Sequence, residues 1–238
     1  MNIKVLYEDE NYLVINKPSG LMVHPDGVTK KHTVTDWLVK KYPYLKGVGE
    51  PLASPTGVVI DKPGIVHRID KETSGILVIA KNQFAYEALK KQFQNHRVKK
   101  IYHAFVYGKF KDAEGRIDRP IGRDKKDFRK RSTARGMRGD RREAVTYYRV
   151  IGETDTVSFI EIRPETGRTH QIRVHLSSIG RPIICDTLYA PKEEPKLGFK
   201  RLALHASRIQ FKNVDGGLVS VEAPFPPDFL KARHKFNI

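Results

Sequence analysis

Residues 64–75 read Gly-Ile-Val-His-Arg-Ile-Asp-Lys-Glu-Thr-Ser-Gly and run straight into an apolar stretch, 76–80. Two short β-type runs enclosing charge, hydroxyl and glycine predict a tight loop on the rim of a sheet, where rigid strands can hold a reactive group. Asp70 is a carboxylate suited to act there as nucleophile or base. Asp70, Thr73 and Ser74 would equally serve to cap turns by bonding local N–H groups, and composition alone leaves both uses open. Two other stretches carry candidate groups. In 100–108 strand alternation puts Tyr102, Ala104 and Val106 on one face and Ile101, His103, Phe105 and Tyr107 on the other, so a tyrosine ring has open space beside a small residue. In 164–176 a turn leads into a helix predicted to end near Gly180. Its Ile172, Leu176 and Ile179 can face inward, which leaves His170 and Arg173 on a common polar face.

The elements that must position these groups follow from the same patterns. Runs 5–7 and 12–16 flank an acidic turn and predict an opening hairpin. Thr33-Val34-Thr35-Asp36 is a capping-box pattern, so a short helix carrying Trp37, Leu38 and Tyr42 is expected to stop before Pro43. Segment 43–63, rich in Gly and Pro, is predicted as a long loop. Strand 76–80 should lead through Asn82, as N-cap, into a helix burying Phe84, Ala88, Leu89 and Phe93. Strands are also predicted at 144–151 and 156–162, joined as a hairpin, and at 202–211 and 218–222 as closing strands.

Charge narrows the partner. The 238 residues hold 44 Lys and Arg against 27 Asp and Glu, net +17, which favours a polyanion, with nucleic acid ahead of an anionic membrane. The excess is greatest in 123–143, where ten basic residues face four acids and only Phe128, Ala134 and Met137 are available to bury. That segment is expected to be an exposed, mobile arm whose guanidinium and ammonium groups suit a phosphate backbone. No run approaches the roughly 18–20 apolar residues of a membrane span. The start, Met1-Asn2-Ile3-Lys4-Val5-Leu6, lacks the pattern of a signal peptide, so the expected location is the cytoplasm. A single cysteine, Cys185, excludes an internal disulfide and a thiolate metal cluster, and is expected to be a buried, inert thiol.

Three stretches together resemble the RluA-type pseudouridine synthases. His67-Arg68-Ile69-Asp70 with Thr73-Ser74-Gly75 is similar to that family's HRLD-x-x-TSG, with isoleucine for leucine. Lys100, Tyr102, Ala104, Val106 and Gly108 match K-x-Y-x-A-x-V-x-G, and 167–176 match G-R-T-H-Q-I-R-x-H-L. The likeness extends from Leu13-Val14-Ile15-Asn16-Lys17-Pro18 and His24-Pro25 to Leu204-His205-Ala206. It implies one α+β domain over 1–238, a mixed α/β fold with a largely antiparallel central sheet flanked by helices, which isomerises uridine to pseudouridine in structured ribosomal or transfer RNA. In that reading Asp70 is the catalytic carboxylate, Tyr102 stacks on the uracil and takes the C5 proton, and Arg173 pairs with Asp70 and keeps it ionised. Arg68 would engage RNA or splay the base out. His67, Arg168, His170, Gln171, Lys125, Lys126, Arg129, Lys130 and Arg131 are the further expected RNA contacts.

No cofactor is needed, because atoms are rearranged without redox change. No metal is expected either: His67, His170 and His175 lack a carboxylate partner and a common face. The chain is expected to act as a monomer without a protein partner. Many relatives carry an S4-type domain ahead of the catalytic part, and here the likeness starts at the catalytic part, so target choice is expected to rest on the core and its loops. The Gly-Asp that usually follows the third motif is Cys185-Asp186, a departure expected to leave the chemistry untouched. Two rivals remain: a non-catalytic RNA-binding or ribosome-assembly factor keeping the fold, and a nucleoside glycosidase using Glu72 as a second acid, which would release free uracil.

Overall fold

In the computed structural model, which describes residues 3–25, 32–53, 59–133 and 137–236, the chain divides into two compact units, 1–99 with 208–223 and 100–207 with 224–238. Met1 and Asn2 of the expected start, 54–58 of the expected long loop, and Ala134 and Arg135 of the basic segment lie outside the described residues.

In the first unit, β1 (Lys4–Glu8) and β2 (Tyr12–Lys17) form the expected antiparallel hairpin. Asp9 builds its turn by accepting the N–H groups of Asn11 and Tyr12 at 2.8 and 2.6 Å. Helix α1 (Val34–Lys41) starts in a true capping box: the Asp36 N–H donates to Thr33 Oγ1 and the Thr33 N–H to Asp36 Oδ2, an arrangement worth about 1 kcal/mol. Segment 43–63 is less open than expected, since it holds a 3-10 turn (Pro43–Leu45) and the short antiparallel pair β3 (Leu52–Ala53) and β4 (Val59–Ile60).

Strand β5 (Ser74–Ala80) pairs antiparallel with β2 and is buried at every residue. Its two faces feed two clusters. Val14, Ile76, Val78 and Ala80 pack with Ala85, Tyr86 and Leu89 of α2 (Gln83–Gln94), while Leu13, Ile15, Leu77 and Ile79 pack with Val34 and Leu38 of α1. A continuous apolar run is what a strand covered on both faces requires, and each Val, Leu or Ile so buried contributes roughly 1.5–3 kcal/mol. Asn82 caps α2 as expected, accepting the Ala85 N–H at 2.9 Å. That cap sets the phase of the helix, so Ala85, Tyr86 and Leu89 face inward and Phe84, expected in the core, is 69% exposed.

In the second unit, β6 (Lys99–Tyr107) is followed by β7 (Glu114–Asp118), by the short strands β8 (Ile121–Arg123), β9 (Arg131–Ser132) and β10 (Arg138–Arg142), and by the hairpin β11 (Val145–Glu153) and β12 (Val157–Pro164). Strand β6 pairs with β12, β12 with β11 and β11 with β7, all antiparallel. Tyr102 stands opposite Ile162 and Ala104 opposite Ile160, so the predicted alternation holds. On the other face Phe105 stacks on Phe159 at 4.5 Å and is surrounded by Phe199, Phe229 and Phe236.

The basic segment departs from its expected form as an arm without packing. Strands β8, β9 and β10 make a small antiparallel sheet in the order β10-β8-β9. Backbone ladders need no apolar side chains, so the cations can point to solvent while the backbone is satisfied. Ile121, Ala144 and Val174 form the small cluster beneath it, and Phe128 remains 86% exposed.

Helix α3 (Gln171–Ser178) also differs from expectation. It is buried from Gln171 to Leu176 rather than along one face, and His170 lies before it, in the left-handed region at φ +56°. The common polar face of His170 and Arg173 is therefore absent, because a helix covered all round has no solvent face. Strand β13 (Leu204–Lys212) carries the chain back into the first unit, where β14 (Leu218–Glu222) pairs with it antiparallel. Helix α4 (Pro227–Arg233) then buries Phe229 and Ala232 in the second unit. With four α-helices among the described residues and mostly antiparallel strand pairs in both units, the fold is α+β as expected.

Candidate active site

Asp70 belongs to the first unit and is half-buried. Its turn is closed by backbone, the Thr73 N–H donating to Asp70 O at 3.1 Å. The neighbouring residues are clamped from β2. Lys17, fully buried, donates through Nζ to the carbonyls of Pro18, Leu21 and Lys71 at 2.9, 2.8 and 3.0 Å. Ser19 Oγ donates to Glu72 O at 2.6 Å, and the Gly20 N–H to Lys71 O at 2.9 Å. A buried ammonium must be met by acceptors, so the loop backbone is held where those carbonyls converge. Upstream, Gly64 is required: at φ +65° a Cβ there would stand 2.0 Å from Ala80 O.

The residues before Asp70 alternate in direction. His67 turns inward, its Nε2 accepting the Val78 N–H at 3.0 Å and its ring stacking on Phe93 at 4.6 Å. Arg68 is exposed, with Nη1 3.2 Å from His24 Nε2. Ile69, Thr73 and Ser74 are buried, so His67 supports the loop whereas Arg68 faces outward beside Asp70.

Tyr102, Arg173 and the remaining predicted residues belong to the second unit. Tyr102 is half-buried at the edge of the main cluster, next but one to the fully buried Ala104. Lys100, two residues earlier, donates to Thr166 O at 3.1 Å, and burial pushes its ammonium down to about 8. Thr166 Oγ1 donates in turn to Gln171 Oε1 at 2.6 Å, and the same oxygen accepts the Arg168 N–H at 3.0 Å. Gln171 Nε2 donates to Val145 O and Thr146 Oγ1. Gln171, expected at the RNA, is thus buried with both ends of its amide engaged, and its work is to fix the turn that precedes α3.

Arg173 is 5% exposed and held by Asp186 in a bidentate pair, Nε to Oδ2 at 2.8 Å and Nη2 to Oδ1 at 2.7 Å. Asp186 Oδ1 also accepts the N–H groups of Leu188 and Tyr189, and the guanidinium lies 5.2 Å from the Tyr189 ring centroid. The Tyr189 hydroxyl accepts the Arg131 N–H at 2.8 Å and shares a 3.1 Å hydrogen bond with His170 Nδ1. Such a fork-to-fork pair fixes the plane of the arginine. Asp186, the residue of the Cys185-Asp186 step that matches the family, is thus the one that holds Arg173, while the departure, Cys185, is bonded to Tyr107 and Phe199. Cys185 sits at φ +58°, which explains why glycine suits that position. Its thiol, half-buried rather than buried, donates to Phe199 O and is pushed up by burial. Lys17 and Asp186 were legible only as parts of motifs, because neither pattern says which carbonyls or which guanidinium they meet.

His175 is fully buried and held neutral, its pKa lowered first by desolvation. One ring nitrogen bonds Thr146 Oγ1 and the other Arg119 O, each at 2.9 Å. Of the expected cationic contacts, Arg68, Lys125, Lys126 and Arg129 are exposed, and Lys130, Arg131 and Arg168 are partly so.

The family model described as RNA pseudouridylate synthase matches residues 11–178. The Bacillus subtilis protein named Uncharacterized RNA pseudouridine synthase YlyB is 41% identical over 97% of this chain and 72% of its own length. Ribosomal large subunit pseudouridine synthase D of Zymomonas mobilis is 39% identical over 95% of this chain and 70% of its length. Among solved structures, human RNA Pseudouridylate Synthase Domain Containing 4 superposes with a TM-score of 0.75 at 26% identity, covering 98% of this chain and 92% of that one. A match over most of the chain in sequence and fold places it in the RNA pseudouridylate synthase family, of RluA type, and makes it an RNA pseudouridine synthase.

Proposed function

We propose that this synthase acts on uridine in structured ribosomal RNA, with Asp70 as its catalytic carboxylate and residues 1–238 working as one catalytic domain. The names of its relatives favour the large-subunit RNA over transfer RNA. The observation that carries the assignment of Asp70 is the clamp on its loop: a fully buried lysine and a serine hydroxyl fix the backbone at Lys71 and Glu72 while the adjacent carboxylate stays half-exposed. Rigid support of a polar group is what a catalytic position needs and a solvated turn does not.

In the reaction, the N1–C1′ bond breaks, the uracil turns, C5 bonds to C1′, and the C5 proton leaves. Asp70 attacks the sugar or the base, or removes a sugar proton. Tyr102 stacks on the extruded uracil and accepts the C5 proton, and Arg173, oriented by Asp186, is the partner of the Asp70 carboxylate. Extrusion costs a few kcal/mol, offset by phosphate contacts from Arg68, Lys125, Lys126, Arg129, Lys130, Arg131 and Arg168, with His67, His170 and Gln171 supporting the loops that carry them. The enzyme works as a monomer in the cytoplasm, without cofactor or protein partner; among the described residues no helix is long and apolar enough to cross a membrane.

The test is tritium release from RNA labelled at uracil C5. Asp70→Asn is expected to abolish release while RNA affinity stays within about twofold, since one acid is removed and no cation. Release at the wild-type rate would end the assignment of Asp70.

A further inference from the structure

The basic sheet of the second unit borders a groove of about 830 Å³, within the size range of ligand sites. Arg123, Lys126, Arg131 and Arg142 line it together with Arg168 and Thr169, which lead into α3. Phe128 also lines the groove, and at 86% exposed it stands further into solvent than any other large apolar side chain among the described residues. A lone exposed apolar residue needs no explanation, but this one is displayed. Asp124 accepts the N–H groups of Lys126 and Asp127, and Asp127 accepts the Arg129 N–H and both sides of its guanidinium. The Asp127 carboxyl is thereby lowered to about 2. Asp124 and Asp127 are thus committed at the tip, Asp127 to Arg129, and Asp140 is the other acid of the lining, set among Arg123, Lys125, Lys126, Arg131, Arg138, Arg142 and Arg168, so the groove keeps a large excess of positive charge for a partner.

Cations that track phosphates, with an aromatic ring among them, are the makings of a single-stranded nucleic-acid site. We propose that this groove binds an unpaired stretch of the substrate RNA, with a nucleobase flanking the target stacked on Phe128 and phosphates on the walls. The proposal rests on the reading of RNA as substrate. It adds a second base-stacking position, apart from Tyr102. The wall that carries Arg168 continues into His170 and α3, and Arg131 is tied to Tyr189 beneath Arg173, so a strand held here is led toward the third motif.

Fluorescence anisotropy with the full chain and a labelled twelve-nucleotide uridine RNA tests it. Phe128→Ala should weaken binding by about tenfold without changing the slope of log Kd against log salt, and Phe128→Trp should retain it. Lys126→Ala should weaken binding and also lower the slope by about 0.7. A blunt RNA duplex should be bound equally by wild type and Phe128→Ala. The proposal is overturned if wild type does not bind the uridine RNA, if Phe128→Ala binds it as wild type does, if the duplex loses affinity by the same factor, or if polyglutamate binds with the same Phe128 dependence. Tritium release separates the two readings. A wild type that releases none, yet binds RNA through Phe128, ends the catalytic reading and leaves the groove. Release by Phe128→Ala with unchanged KM ends the groove and leaves the catalytic reading.

Discussion

Lys100 offers a measurable tension between stability and position. Its ammonium is drawn from 10.5 to about 8 by burial, with the Thr166 carbonyl at 3.1 Å as its hydrogen-bond acceptor. At about 1.4 kcal/mol per tenfold, keeping it charged at pH 7 costs the folded state about 3 kcal/mol. Lys100→Met keeps the volume and removes the charge, so it should raise the unfolding free energy from urea titration at pH 7 by about 1–3 kcal/mol, the lower figure applying if the Thr166 carbonyl is left without a donor. The sign with pH follows from linkage. Between pH 8 and 10.5 the unfolded chain binds the extra proton, so wild-type stability gains from this group as pH rises, by up to about 1.4 kcal/mol per pH unit. Tyrosines such as Tyr7 and Tyr42, raised to about 12, act oppositely above pH 10. They cancel in the difference between wild type and Lys100→Met, which should shrink as pH climbs from 8 to 10. A difference that stays flat over that window would refute the buried-charge argument. Because Lys100 fixes the turn that sets Arg168 and Gln171, the stabilised variant should also lose kcat in the tritium-release assay.

Other outcomes follow from the same contacts. Lys17→Met strips a buried donor from three carbonyls and should lower stability by about 2–4 kcal/mol in urea titration, with loss of activity as the Asp70 loop is released. Asp186→Ala takes the bidentate partner from a buried guanidinium; a destabilisation of about 3 kcal/mol or more is expected, and the midpoint shift in guanidinium chloride measures it. His175, buried neutral with its pKa lowered, binds its proton less readily folded than unfolded. Stability from this group is therefore full above about pH 6.5 and falls as pH drops below it, a slope that should flatten in His175→Asn relative to wild type.

The strands and caps were open to inspection in the sequence because their causes are local. The run 76–80 has no polar interruption and reads as a strand covered on both faces; Thr33 with Asp36, and Asn82, announce their helices by side chains that reach only three residues along. What escaped depends on distant chain. Phe84 and Ala85 are adjacent, and only the phase set by the Asn82 cap sends one to solvent and the other to the core. Side-chain hydrophobicity gives the basic segment nothing to pack with, whereas its order comes from backbone pairing that cations neither help nor prevent.

The site divides in the same way. The resemblance to the family named Asp70, Tyr102 and Arg173, but the residues that hold them carry no chemical signature of their own. Lys17 stands in the sequence only as one of 44 cations and as part of the Asn16-Lys17-Pro18 likeness, yet it is fully buried and donates to three carbonyls. Asp186 reads as an ordinary acid, yet it orients the arginine of the third motif from 13 residues away. A motif can state which groups react because the reaction demands their chemistry. It cannot state what braces them, since any well-placed donor or acceptor would serve. The supporting shell is accordingly where sequence reasoning is weakest and where Lys17→Met and Asp186→Ala should be most informative, for they leave every reacting group of the proposed mechanism in the chain and remove only its support.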